Sequence, residues 1–312
     1  MRSVKELLDI DTKETAARIE NHIRHIVAET RMNGILMGLS GGLDSTVLVT
    51  LAVRALGKER ICVYFLQDKN GEKDSINKAR LVAEGLGLKL NVGSIDAVMR
   101  EKEKSAAFFK FISTLPPIVL PFMSSLYYIV VGETPYMTTL RKEELKKTRF
   151  RRWIYGNIVN GLESMFDGPC ATRRVVLEKI AKEKNLLLIG SGNLSEDLTG
   201  WFTINGVDNM PHSPIMGLLK TQVRQLAQYL DIPQVVQKRA PSADVLKGAD
   251  DTLALGMSFD KIDVVLHGIE HNMSDNELIE YGLTKGQIAR VRKIHKMSAW
   301  KRGGRKSETH AR

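Results

Sequence analysis

The stretch from Gly34 to Leu56, GILMGLSGGLDSTVLVTLAVRAL, limits the fold more than any other part of this 312-residue chain. Its apolar opening, Ile35-Leu36-Met37, has the unbroken hydrophobicity of a strand buried on both faces. A loop of small residues follows, Ser40-Gly41-Gly42-Leu43-Asp44-Ser45, and then an apolar helix that Gly57 stops. Strand, glycine loop and helix together aim backbone N–H groups and a helix N-terminus at an anion. Glycines allow close approach of a phosphate, and the serine hydroxyls add donors. A carboxylate in such a loop repels phosphate unless a cation lies between them, so Asp44 reads as a Mg²⁺ ligand. The Walker pattern GxxxxGK[ST] is absent. The plain alternative is a serine–glycine turn that binds nothing.

The rest of the chain repeats the alternation. An amphipathic helix over 12–31, with Ala16, Ile19, Ile23, Ile26 and Val27 on one stripe and Thr12 as N-cap, precedes the first strand. Ile61 to Leu66 and Leu88 to Val92 read as further strands, Asp74 to Leu86 as a helix between them. Residues 171–184 read as a helix and Leu186 to Ile189 as the next strand. The expectation is an α/β fold, a doubly wound parallel sheet of about five strands flanked by helices. Ligands bind such sheets at the C-terminal strand ends, which makes Leu66 and the loop after it, with Asp74 nearby, a candidate adenine edge. After the strand at 186–189, Gly190-Ser191-Gly192-Asn193-Leu194-Ser195-Glu196 repeats the logic of the first loop. Glu196 is a second candidate Mg²⁺ ligand, or a first-turn glutamate that the helix dipole favours.

A hydrophobic content of 43% supports a sizeable core. The two cysteines, Cys62 and Cys170, form no CxxC or Cys/His cluster, which argues against a metal site or disulfide framework and suits a reducing cytoplasm. The N-terminal MRSVKELLDID lacks the apolar core of a signal peptide. The net charge of +10 is concentrated: residues 141–152 hold seven Lys/Arg against two Glu, and residues 285–312 hold ten against one. Such patches suit nucleic acid, a membrane surface or a polyanion, or are simply a solvated face and a frayed tail. Ser105 to Gly132 is apolar with Lys110 its only charge, but Pro116, Pro117 and Pro121 interrupt it. It reads as an apolar cap or subunit interface. A hairpin touching a membrane through 105–152 is a further reading. The organisation expected is one domain over 1–302, an apolar and basic insertion at about 104–150, and a basic disordered tail at 303–312.

The SGGLDS loop resembles the pyrophosphate loop of the N-type ATP pyrophosphatases, adenine nucleotide alpha hydrolase-like enzymes that cleave ATP between the α and β phosphates and adenylate an acceptor. Within them, the ordered blocks resemble the ammonia-dependent NAD synthetase family. GSGNLSEDLTGWFT (190–203) is similar to its GTGNxSE…GxFT block. Pro214-Ile215 through Lys220-Thr221-Gln222-Val223 is similar to NPI…LxKTxV. Pro241-Ser242-Ala243-Asp244, with Leu255-Gly256-Met257-Ser258-Phe259-Asp260 and Ile262-Asp263, is similar to PSADL…ELGxSYxxID; Lys301-Arg302 suits the family's tail.

The resemblance implies an AMP-forming amide ligase that uses ATP and Mg²⁺. Ser40, Gly41, Gly42 and Ser45 would bind pyrophosphate, and Asp44 and Glu196 would hold the metal. Ser191, where the family usually has Thr, and Lys220 would contact phosphates. Ser242 and Asp251 would lie on a loop that closes over the site. The catalytic set implied is Asp44, Glu196 and Lys220. Partners would be a small carboxylate and ammonia, a second copy in a homodimer, and free ammonia or a separate glutaminase as nitrogen source, since no glutaminase domain is visible.

The chain departs from the family on the acceptor side. KGNxKAR is here Tyr155-Gly156-Asn157-Ile158-Val159-Asn160-Gly161, and FTKYGDGGxD is Phe202-Thr203-Ile204-Asn205-Gly206-Val207-Asp208-Asn209-Met210-Pro211. Cationic positions have become Tyr155, Val159, Gly161 and Ile204; two Asp have become Val207 and Pro211. The expected reaction is therefore adenylation of deamido-NAD and displacement of AMP by ammonia, or the same chemistry on a sugar acid or natural-product intermediate. A tRNA-modifying pyrophosphatase and a non-catalytic nucleotide-binding scaffold are the readings from other classes.

Overall fold

A computed structural model of the chain describes residues 2–68, 74–96, 126–129, 132–141, 160–238 and 254–302, with the backbone alone over 160–166. Helix α1 (Thr12–Thr30) leads into strand β1 (Ile35–Gly38), and helix α2 (Leu43–Leu56) returns the chain to β2 (Ile61–Gln67). Helix α3 (Ser75–Gly85) and strand β3 (Leu90–Ser94) follow. Beyond α4 (Pro135–Leu140), α5 (Asn160–Lys184) leads to β4 (Leu187–Leu188) and α6 (Leu194–Thr199). Helices α7 (Lys220–Tyr229), α8 (Phe259–Glu270), α9 (Lys285–Met297) and α10 (Ala299–Arg302) complete the parts used below.

The described strands form one four-stranded sheet in the order β3-β2-β1-β4, every pair parallel. The strand order reverses between β1 and β4, so the loops that leave their C-terminal ends face each other across a crevice. Alternation along β1 divides the core: Ile35 and Met37 join the packing of α1, α2 and α7, while Leu36 points to the opposite face, under Leu177 and Ala181 of α5. Leu198, Leu219, Phe259, Ile262 and Val291 form a separate helical core beside the sheet, which fixes α6, α8 and α9.

Local chemistry moved several boundaries. Asp11, not Thr12, caps α1, its Oδ1 accepting from Glu14 N at 2.8 Å, where a carboxylate also complements the helix dipole. Strand β3 starts two residues later than Leu88, because Leu88 N donates back to Ala83 O of α3 at 2.8 Å and the ladder with β2 begins at Leu90. Helix α5 extends well upstream of residue 171 and keeps Pro169 inside it, at the loss of one helical N–H donor. No described helix is long and apolar enough to cross a membrane. Most of the apolar stretch 105–132, the basic run beyond Arg141, Ser242, Asp251 and the tail lie outside the described residues.

Candidate active site

The two loops at the β1/β4 crevice wall one cleft of about 220 Å³. Ser40, Gly42, Asp44, Ser45, Leu66, Ser191, Glu196 and Lys220 all line it, so most of the residues singled out from sequence come together. Gly41 does not line it. That residue has φ 72°, and a Cβ there would come within 2.6 Å of Ser75 O on α3; the glycine lets the loop turn tightly beneath the site. The loop's hydroxyls fix its shape: Ser40 and Ser45 Oγ lie 3.1 Å apart, Gly42 N donates to Ser40 Oγ at 3.2 Å, and Thr46 Oγ1 donates to Gly42 O at 2.8 Å. The first turn of α2 stays aimed into the cleft, the arrangement in which a helix terminus can receive an anion. Asp74 lies elsewhere. It stands at the N-cap position of α3 and pairs with Lys78 at 2.7 Å.

The centre of the cleft is a buried ion cluster. Lys220, the first residue of α7 and only 3% exposed, donates to Asp44 Oδ2 and lies 3.7 Å from Glu196 Oε1. Asn193 Nδ2 donates to Asp44 Oδ1 at 3.0 Å and so sets the rotation of that carboxylate. Glu196 serves two purposes. Its Oε2 accepts from Asn193 N in a capping box that starts α6, while Oε1 faces Lys220. The helix-cap reading of this glutamate is realised, and its other oxygen is turned to the lysine of the cleft.

Lys220 is held by a relay the sequence reading did not assign. Ser195 Oγ accepts from Lys220 N at 2.8 Å and donates to Asp263 Oδ1; Asp263 Oδ2 accepts from Thr221 N at 2.8 Å. Burial pushes the Asp263 carboxyl up to about 6, opposed by these donors. Ser195 and Asp263 sit inside the two blocks already recognised, so the signal was present, but only the fold shows that they meet. Asn193 was missed for the same reason.

The far wall of the cleft is formed by Cys170, Arg173, Trp201, Val207, Asp208 and Met210. Arg173 Nε donates to Leu66 O at 3.3 Å, which ties α5 to the end of β2. Asp208 is half-buried. Thr203 N donates to its Oδ2 at 2.9 Å, whereas Oδ1 has no hydrogen-bond partner among the described residues. Burial raises its carboxyl to about 6, and burial together with Asp208 pushes the Cys170 thiol up to about 12. Of the replaced family positions, Val207 lines the cleft and Ile204 is exposed.

Two carboxylates with a common cationic partner are an oxygen-only donor set of the kind Mg²⁺ uses, with phosphate and water supplying its remaining ligands. Among the described residues no group of three or more His, Cys, Asp or Glu could hold a metal by itself. Asp44 and Glu196 therefore fit an ion that arrives with a phosphate substrate rather than one caged by protein.

A parallel sheet with this loop, this helix terminus and this ion cluster defines an α/β nucleotide-binding enzyme. The family model for NAD synthase matches residues 15–111 and 163–304, and the chain belongs to the NAD synthase family. It is 31% identical over 271 residues to the NH(3)-dependent NAD(+) synthetase of Coprothermobacter proteolyticus, covering 85% of this chain and 88% of that one. It is 29% identical to the Hyperthermus butylicus protein of the same name, covering 96% and 92%. Among solved structures, the NMN synthetase of Francisella tularensis has a TM-score of 0.65 at 20% identity, covering 94% of this chain and 97% of that one. The NH3-dependent NAD synthetase of Campylobacter jejuni reaches 0.62 at 23%, covering 96% and 99%. These likenesses show the shared fold. Family membership makes the chain an ATP-dependent carbon–nitrogen ligase.

Proposed function

We propose that the protein is an ammonia-dependent NAD synthetase of the cytoplasm. It adenylates the nicotinate carboxylate of deamido-NAD with release of pyrophosphate, and ammonia then displaces AMP to form the amide. The observation that carries this reading is the convergence of Lys220, Asp44 and Glu196 beside the Ser40–Ser45 loop, within blocks shared with relatives named for NAD synthesis from ammonia. The other carboxylates and the tRNA substrate considered above find no support among those relatives.

The chemistry follows from charge. A free carboxylate is a poor acyl donor, because oxide is a poor leaving group; as an acyl adenylate its leaving group is AMP. In the first step a carboxylate oxygen bonds to the α-phosphorus and the bond to the bridging α–β oxygen breaks, so pyrophosphate leaves with that electron pair. The N-terminus of α2 and the loop hydroxyls receive the departing pyrophosphate. Lys220 offers an ammonium to the charge that develops on the phosphates. Bound Mg²⁺, held by Asp44 and Glu196, would supply Lewis-acid neutralisation of that same charge. In the second step ammonia's lone pair attacks the acyl carbon, AMP leaves, and the surplus proton passes to AMP or solvent. A homodimer and an ammonia supply from a separate glutaminase fit the same reading.

Incubation of folded protein with deamido-NAD, ATP, Mg²⁺ and ammonium tests it. NAD, AMP and pyrophosphate appear in equal amounts; absence of NAD from active-site-competent protein sinks the proposal.

A further inference from the structure

The family match stops at residue 111 and resumes at 163, so α4 belongs to a stretch that the family model does not describe. Yet α4 is wired to the cleft. The Tyr136 ring meets the Trp201 indole edge-to-face, with centroids 4.7 Å apart and planes at 90°. Its hydroxyl donates to Thr199 O at 3.0 Å, at the C-terminal turn of α6. That turn is a tight one: Gly200 has φ 71°, and Trp201 N donates back to Glu196 O at 2.8 Å. Trp201 thus leaves the helix that carries Glu196 in a fixed direction and lines the cleft beside Val207 and Asp208.

The other side of the same turn is held by α10. Lys301 Nζ donates to Gly200 O at 2.6 Å and also to Phe202 O; Arg302 donates to Leu198 O at 2.8 Å. Helix α10 is in turn tied to α4, since Trp300 Nε1 donates to Leu140 O at 3.1 Å. Glu133, just before α4, is buried between Arg141 and Lys293, the latter on α9 at 2.6 Å. Segment 133–141 is therefore anchored independently of Trp201, which a brace requires.

We propose that Tyr136 is a positioning residue that fixes Trp201 in the wall of the cleft, so that a segment outside the family match sets the shape offered to the acceptor. This rests on the reading of the cleft as an adenylating site, in which the Ser40 loop end takes the nucleotide. An edge-to-face aromatic pair favours one ring orientation over a stacked or splayed one. Removing the Tyr136 ring frees the indole to turn into the cleft while the phosphate end, held by the Ser195–Asp263 relay, stays in place.

The test uses the full chain grown with 5-fluorotryptophan, with the ¹⁹F resonance of Trp201 assigned by its loss in Trp201→Phe. Tyr136→Ala shifts and broadens that resonance; Tyr136→Phe, which keeps the ring, leaves it in place. In pyrophosphate-release assays Tyr136→Ala raises KM for deamido-NAD about tenfold, with KM for ATP changed less than about twofold, and Tyr136→Phe restores the wild-type value. Tyr136→Leu, which keeps apolar volume without the ring edge, replaces Tyr136→Ala should that variant not fold. An unmoved Trp201 resonance overturns the proposal, as does an equal rise in both KM values. If the wild-type protein makes no NAD, the functional reading fails, while the resonance still decides the bracing.

Discussion

The two ends of the cleft are built differently. The proposed phosphate end is made from element termini: the β1–α2 loop, the first turn of α6 and the first residue of α7, locked by Asn193, Ser195 and Asp263 into one network. The proposed acceptor end is made from the irregular chain between α6 and α7, where the half-buried Asp208 keeps one enclosed oxygen without a partner among the described residues. Preorganised charge must not move during phosphoryl transfer, and termini of packed helices supply that rigidity. A loop can change its side chains without disturbing a core, and Ile204 and Val207 stand here where the resemblance to the family implies Lys and Asp.

The contrast makes graded predictions. Asp44→Asn removes one charge from the centre of the cluster and leaves Glu196 as the carboxylate facing Lys220; pyrophosphate release falls about a thousandfold in protein that still unfolds cooperatively. Retained turnover places the chemistry elsewhere. Asp263→Ala strips the acceptor from Ser195 Oγ and Thr221 N. We expect a loss of about 2–4 kcal/mol in urea unfolding and a drop in turnover of about tenfold to a hundredfold. A variant of normal stability and activity breaks the relay. Asp208→Asn acts at the other end, raising KM for deamido-NAD about fivefold while KM for ATP holds within about twofold; parallel changes in both constants erase the distinction between the ends.

The smallest effect is on pH dependence. The Asp208 carboxyl is raised to about 6 in the folded chain from an ordinary 3.8. Between those values the folded state binds more protons than the unfolded one, so this group's contribution to stability grows as pH falls from about 6 to 4. Above about pH 6 it is a constant penalty. Asp208→Asn removes that penalty, and its stability relative to wild type declines by about 1–2 kcal/mol between about pH 7.5 and 4.5. A pH-independent difference means that the carboxyl is not shifted. Asp263 carries the same sign.

Much of the phosphate end could be read from sequence because the signals are local. An apolar run, glycines at a turn and an acid in the first helical turn each restrict a few consecutive residues. The parallel sheet followed from the alternation of elements, although four strands are described where about five were expected. What could not be read was long-range. Asp44 meets Asn193, and Ser195 meets Asp263, across separations of 149 and 68 residues, and no periodicity announces those contacts. Tyr136 gave no signal at all, since its partner Trp201 is set by how α4 and α10 pack. Residues 155–159, where the basic pattern is rewritten, and Ser242 lie outside the described residues.

In the proposed reaction this cleft activates a carboxylate by cleaving ATP at the α–β bond. Deamido-NAD labelled with ¹⁸O in its nicotinate carboxylate tests it most directly. With unlabelled ATP and ammonium, mass spectrometry finds one ¹⁸O in each AMP formed and none in the pyrophosphate, because one carboxylate oxygen leaves with the adenylate. AMP without label, or ADP and inorganic phosphate as products, contradicts the account.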